Sequence, residues 1–396
     1  PVRGGLCEAS GFMNQGNSLK YWDALNSLDF FVVQDLWKTP TVGAADIVLP
    51  VCHWLEVDCP RLSQGATGAQ GANCRCIEPP ADCHFDVDII LDVYKRMGIP
   101  WADDPVSYGL PEGVQWPTTE QLYDRTISTT GLTWQEYKEA FQEHGWWDCR
   151  AINPEVWGTY RRYETGRMSA VGETPAGNPM KGFSTPTRKQ ELWSTVMETY
   201  EPSGKFNLPT WEPAPRTELA DPSIVEEWPF LMTTGRRIPV YFHSEHRQLP
   251  WCRELWPVPK CEINPVDAEK LGVTQGDWVW IESPEGKVRQ TVDLYYGVEP
   301  GVINCEHQWW YPELDQAGGG FELSTINCLV TGEDQDPICG ASYLRAYNVK
   351  VYKATADNSP FGNPVPCGED GTPIICDASD ARLLDWMPNY EIRNEA

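Results

Sequence analysis

Residues 261–286 read CEINPVDAEKLGVTQGDWVWIESPEG, and this stretch decides the fold. Asn264 has the chemistry of a helix N-cap, Pro265 fits the first helical position, and Asp267 falls in the positive first turn. Gly272 is placed to end that helix after barely two turns. Trp278 to Ile281 then supplies β-formers, residues 283–286 (SPEG) make a tight turn, and a second alternating run leads to Pro300-Gly301. A short helix clipped into a small β-barrel is the physical reading, with the barrel spanning about Trp228 to Lys353.

Working outward, residues 1–100 alternate helices with short apolar strands. Lys20–Leu28 reads as a helix, Phe30–Val33 as a strand, and Ala45–Leu49 as a second strand stopped by Pro50. Asp86–Met97 places Ile89, Ile90, Val93 and Met97 on one helical face, and Gly98 closes it. Such alternation predicts a mostly parallel, Rossmann-like α/β sheet. Thr133 and Glu136 form a capping box ahead of Tyr137, Ala140 and Phe141. Residues 153–217 are rich in Gly, Pro and Thr apart from a helix near Arg188–Tyr200, and Pro202–Pro222 reads as linker. The expected organisation is an α/β domain over 1–150, a connector over 151–225, a barrel over 226–354 and an irregular tail strap over 355–396.

The chain has 57 acidic and 31 basic residues, a formal charge of −26. That balance argues against nucleic-acid or anionic-membrane partners, and any bound polyphosphate needs locally placed Arg, backbone amides or helix N-termini. No run of about 18 apolar residues occurs, so direct membrane insertion is not expected. The start at Pro1-Val2-Arg3, without Met or a signal peptide, suggests a fragment or a processed product. Fourteen cysteines include no Cys-x-x-Cys, and Cys74-Arg75-Cys76 is too tight for a zinc or iron–sulfur clamp. Cys52, Cys261, Cys305 and Cys328 sit in apolar runs and read as free, buried thiols.

The order INPxDAxxLGxxxGDxVxVxSxxG…PGVV resembles the C-terminal cofactor-binding barrel of the dimethyl-sulfoxide-reductase family. Other segments agree: residues 30–56 match VVxDxxxTxTxxxADIVLPxxxxxE, residues 182–194 match GFxTPSGKxELYS, and Thr234-Gly235-Arg236 opens the barrel as TGRxxxxxH. The wording of His53–Glu56, of Trp309–Glu313 and of Gly320-Phe321 resembles the branch with acetylene hydratase and the catechol dehydroxylases. Residues 57–76 depart from the family's Gly-Thr-x-x-Asn segment, so no contact is carried over there.

The resemblance implies a double-psi β-barrel and a molybdopterin guanine dinucleotide cofactor carrying molybdenum or tungsten. It implies cofactor contacts from Asp35, Thr39, Thr234, Gly235, Arg236, His243, Arg247, His307, Trp309, Asn327 and Asn348. On position alone Asp35 is a strand-end cap; the resemblance makes it a contact to guanosine. Arg236 and Arg237 alone could be surface ion pairs; the resemblance lays Arg236 and His243 along the pterin. Asp46, Asp86 and Asp88 read as structural. His243, Glu245 and His246 lack the spacing of a zinc site, so no protein metal ligand is assigned, and the catalytic residue is unknown.

The family's [4Fe–4S] cysteine motif and its metal-binding side chain have no counterpart here. The expectation is therefore the C-terminal part of an anaerobic oxidoreductase, inactive alone, with several hundred residues upstream. Such an enzyme acts on a small-molecule substrate, pairs with an iron–sulfur electron-transfer subunit, and is cytoplasmic or exported by an upstream twin-arginine signal. One rival keeps the cofactor but runs a hydration or a reductive dehydroxylation. A more remote one is a secreted, disulfide-linked binding module using its tryptophans.

Overall fold

The computed structural model describes residues 2–8, 11–61, 69–145, 147–148, 185–187, 189–236 and 239–386. Its contacts divide the chain into two compact units, one formed by residues 1–49 with 212–396 and the other by 50–211. The strands near the N-terminus share a unit with the barrel.

In the first unit, β1 (Gly4–Glu8) pairs in parallel with β2 (Phe30–Asp35), and β3 (Ile47–Pro50) completes a three-stranded sheet. Helix α1 (Ser18–Asn26) lies between β1 and β2 in sequence; Asn17 caps it by accepting from the Lys20 N–H. The parallel α/β reading of this part holds. The second unit holds α2 (Asp86–Arg96), α3 (Thr119–Thr126) and α4 (Trp134–His144), with a small antiparallel sheet of β4 (Cys59–Arg61), β5 (Ala69–Asn73) and β6 (Trp147–Asp148). The capping box at Thr133 and Glu136 forms as expected. On α2 Leu91 is buried and Ile89, Ile90 and Val93 are half-buried, whereas Met97, just past the helix end, is 67% exposed. The helix expected near 188–200 is only the single turn α5 (Met197–Tyr200).

The barrel is closed and six-stranded, from β7 (Phe230–Arg236) through β8 (Lys260–Ile263), β9 (Trp278–Ser283), β10 (Gly286–Leu294) and β11 (Val302–Glu306) to β12 (Tyr347–Lys353). Two pairings are parallel, β7 with β11 and β8 with β10; the others are antiparallel. Closure removes exposed strand edges, and Met232, Ile263, Val279, Ile281, Val288, Ile303 and Val349 fill the interior at 0% exposure. Each such side chain contributes about 1.5–3 kcal/mol relative to exposure. Phe31, Val33 and Val42 join the same core, which welds the small parallel sheet to the barrel.

The helix anticipated at 265–271 is α7 (Pro265–Leu271), following α6 (Pro250–Leu255). Asn264 Oδ1 accepts from the Val266 N–H at 3.0 Å while its amide donates to the Val298 carbonyl at 2.8 Å. Buried Asp267 accepts from the Gly301 N–H at 2.6 Å, tying the Pro300-Gly301 turn to the helix start. Gly272 closes it in the left-handed region at φ 66°. The tail to residue 386 is more than a surface strap, because Ile374 is buried in one cluster with Tyr311 and Trp309 and Ile375 is buried as well.

Candidate functional site

All eleven sequence-predicted site residues lie in the first unit. Asp35 ends β2, at the carboxyl edge where open α/β sheets bind ligands. Its Oδ1 accepts from the Leu36 N–H at 2.7 Å, and its Oδ2 from the Thr39 hydroxyl at 2.9 Å. That pairing shapes the loop leading to Thr41. The next turn, residues 41–44, packs against the residues after the barrel's Trp-Trp segment. Gly43 makes this possible, since a Cβ there would sit 2.4 Å from the Gly318 backbone nitrogen. Gly318, Gly319 and Gly320 all take positive φ, the run of three that lets the chain fold back under Trp310.

The result is a small cleft of about 40 Å³ lined by Asn14, Thr39, Thr41, Ser244, Gln308 and Trp310 among others, room for the edge of a ligand. Asn327 supports it from behind, donating to the Asn14 carbonyl at 2.7 Å. Trp310 donates to the Ser244 carbonyl at 3.0 Å, fixing the loop that carries His243. His243 Nδ1 and His307 Nε2 approach to 3.2 Å. Six described non-glycine residues have positive φ, and His243, His246 and Gln308 are three of them. Backbone held in that region costs about 1–3 kcal/mol per residue and concentrates at functional sites.

Arg247 stands behind the histidine pair. It is 2% exposed, its guanidinium lies 3.7 Å from the Tyr241 ring centre and 4.3 Å from that of Trp309, and Nη2 donates to the His243 carbonyl at 3.0 Å. Its Nε and Nη1 are buried without partners. Burial holds its pKa down at about 10, partly offset by Tyr241 and by Glu306, so it stays a cation at neutral pH. Glu306 accepts from the Trp256 and Trp309 indole N–H groups at 3.0 and 3.1 Å. Trp309 is fully buried and therefore acts through packing.

Thr234, Gly235 and Asn348 do not line this cleft. Thr234 donates to the Leu344 carbonyl at 2.6 Å, and exposed Gly235 has open space where a Cβ would stand. Asn348 is a clamp on the linker: its amide donates to the Trp228 carbonyl at 2.8 Å and accepts from the Glu218 N–H at 3.2 Å. The Arg236 side chain lies outside the described residues. The structure thus gathers Thr39, His243, Arg247, His307, Trp309 and Asn327, and leaves Asn348 apart.

Sequence reading missed Gln308, whose amide oxygen is buried without a partner in the cleft wall. It also missed Gln34, 0% exposed beside Asp35 with neither amide atom bonded. A glutamine inside the apolar strand 30–35 was the available signal. Among the described residues no group of His, Cys, Asp and Glu is placed to hold a metal ion, and none of the helices is long and apolar enough to cross a membrane. No disulfide joins the described cysteines to one another.

Comparison with known proteins gives a consistent answer. Residues 230–347 match the molydopterin dinucleotide binding domain. The chain is 48% identical to dopamine dehydroxylase of Eggerthella lenta over 99% of its own length and 42% of that protein. It is 29% identical to acetylene hydratase of Syntrophotalea acetylenica, covering 87% of this chain and 42% of that one. The solved acetylene hydratase from Pelobacter acetylenicus superposes with a TM-score of 0.72 at 25% identity, over 89% of this chain and 44% of that structure. The chain thus spans less than half the length of the relatives it matches. It belongs to the dimethyl-sulfoxide-reductase family of molybdopterin oxidoreductases, in the branch of acetylene hydratase and the dehydroxylases.

Proposed function

We propose that this chain is the cofactor-holding C-terminal portion of a catalytic subunit that uses molybdenum or tungsten bis-molybdopterin guanine dinucleotide. The observation that carries the reading is the set of polar groups in and beside the cleft wall. Arg247 has two guanidinium nitrogens without partners, Gln308 an unbonded amide oxygen, and His243 meets His307 beside them. In a chain of charge −26, a fully buried cation with spare donors is unusual unless an acceptor belongs nearby. The spare guanidinium donors fit an anionic, many-acceptor group such as a pterin dinucleotide, and the Gln308 oxygen would accept from one of its ring or amino N–H groups.

His243, His307 and Arg236 would hydrogen-bond the pterin, with Thr234 and Gly235 offering backbone along the same strand end. Asp35, Thr39 and Asn327 would hold the nucleotide end. Arg247, Trp309 and Asn348 would act by position, Arg247 keeping the His243 loop in its strained turn. When bound, the metal group supplies two-electron chemistry on a small substrate. We infer also that the barrel is a double-psi barrel, a reading supported by its two parallel pairings within one closed ring. The [4Fe–4S] cluster and an iron–sulfur partner subunit belong to the whole-enzyme reading, as do sequences beyond this chain.

The extent of identity to dopamine dehydroxylase favours reductive dehydroxylation of a catechol-type substrate. The likeness to acetylene hydratase favours hydration as the second reading. The two differ in electron balance, since dehydroxylation consumes two electrons per turnover and hydration none. The test uses the full-length enzyme containing this chain, purified anaerobically after growth with molybdate or tungstate. Guanine nucleotide and metal should co-purify, and His243→Ala should lower both by about tenfold with the circular dichroism unchanged. Protein that carries neither would overturn the proposal.

A further inference from the structure

The second unit contains a larger recess that no residue of the cofactor cleft touches. It has a volume of about 360 Å³, and all of its lining residues lie between Cys52 and Lys138. That size suits a small molecule. Phe85, Tyr123 and Trp134 give it an aromatic wall, with the Tyr123 and Trp134 rings edge to face at 5.0 Å.

Its charges are unbalanced. Lys138 is committed to Asp58 at 2.7 Å, and Arg75 to Glu78 at 3.2 Å. Glu56, Asp88 and Glu120 also line the recess and have no ion-pair partner among the described residues. Glu56 accepts only the His53 N–H, at 2.8 Å, and Asp88 the Thr119 hydroxyl. The first turns of α2 and α3 offset part of this charge, since Asp88 and Glu120 sit at their N-termini. Glu56 has no such support.

A second, independent feature points to a ligand. Tyr123 is 8% exposed, lines the recess, and its hydroxyl is buried without any hydrogen-bond partner. A phenol in that state lacks a group it can bond to. The field agrees with the geometry: Cys52, in the same wall, has its thiol pushed up to about 11, by burial first and then by Glu56, Cys83, Asp86 and Asp88.

We propose that this recess binds a small organic ammonium ion with a flat apolar body. The ammonium would meet Glu56 and the Tyr123 hydroxyl oxygen, and the flat body would lie on Trp134 and Phe85, where cation–π attraction adds to the charge pairing. An anion would face three carboxylates that have no ion-pair partner among the described residues. An inorganic cation lacks a ligand set here, since no group of His, Cys, Asp and Glu among the described residues is placed to hold one. The inference does not rest on the cofactor reading, because every lining residue lies outside the unit that carries the cofactor cleft.

The test is calorimetric titration of the full chain with 2-phenylethylammonium, 2-phenylethanol, phenylacetate and butylammonium. The phenylethylammonium ion should bind at least about tenfold more tightly than the alcohol, with phenylacetate weakest. Butylammonium should fall between, lacking the aromatic stacking. Glu56→Gln, which keeps the acceptor for the His53 N–H, should lose about tenfold in affinity, and Tyr123→Phe several-fold. Bound phenylethylammonium should also slow alkylation of Cys52, a readout that needs no variant to fold. Equal binding of the neutral alcohol, unchanged affinity in Glu56→Gln, or no protection of Cys52 would each overturn the proposal.

Discussion

Two buried arginines six residues apart behave in opposite ways. Arg253 is 0% exposed, and its two terminal nitrogens meet both oxygens of Glu313 at 3.0 and 2.8 Å. Nη2 also donates to the Ile375 carbonyl, and Glu313 accepts the Ile375 N–H at 2.8 Å, so the pair stitches the tail to the barrel side. Arg247 is equally buried but rests between two aromatic rings with two nitrogens unpartnered. In the first, both terminal nitrogens and the carboxylate they meet are satisfied within the chain. In the second, two nitrogens are not, and that difference separates a structural clamp from a site.

The comparison breaks most sharply at Arg253. Arg253→Met leaves Glu313 buried without its cation and should cost about 3–5 kcal/mol, read by urea unfolding of the full chain. A loss below about 1 kcal/mol would remove the clamp reading. Next comes Gly43→Ala, which forces a Cβ to within 2.4 Å of the Gly318 nitrogen and should cost about 1–3 kcal/mol in the same measurement. It should also open the Thr39–Thr41 side of the cleft, seen as lowered retention of guanine nucleotide in the full-length enzyme.

Arg247→Met should change stability by less than about 1 kcal/mol in either direction, because desolvation of an unpaired guanidinium offsets its stacking on Tyr241 and Trp309. Nucleotide retention should nonetheless fall several-fold. Comparable losses for Arg247→Met and Arg253→Met would erase the distinction.

The smallest effect concerns a buried group in the other unit. The Cys52 thiol is raised from 9.0 to about 11, so its neutral form is favoured in the folded chain. Its contribution to stability is present below pH 9 and is lost as pH climbs from 9 to 11. Alkylation of Cys52 should therefore stay slow at pH 9 and accelerate toward pH 11. Glu56→Gln removes one of the neighbouring negative charges and should move that rise to slightly lower pH.

Much of this was legible from residue order. Asn264, Pro265, Asp267 and Gly272 act over short distances, through one cap, one ring constraint and one left-handed turn, so α7 appears where it was read. The alternation in β9 and β10 was equally plain. Met97 misled because the helix ends at Arg96, and periodicity does not say where the last turn stops; Leu91 is the buried residue of that helix. The partners of Asn348 were not legible, because Trp228 and Glu218 lie about 120 residues away in sequence. Gln34 and Gln308 went unnoticed because an unbonded buried amide is defined by what surrounds it.

The order of residues by itself determined the helix caps, the hairpin, the strand pattern of the barrel and the acidic surface, all of which depend on local sterics or on simple charge counting. Tertiary structure alone decided that Gly43 meets Gly318, that His243 meets His307, and that one of two nearby arginines finds a carboxylate while the other does not. Those outcomes depend on contacts between distant segments, where distance and burial set the energy of a polar group and neither can be read from its neighbours in the chain.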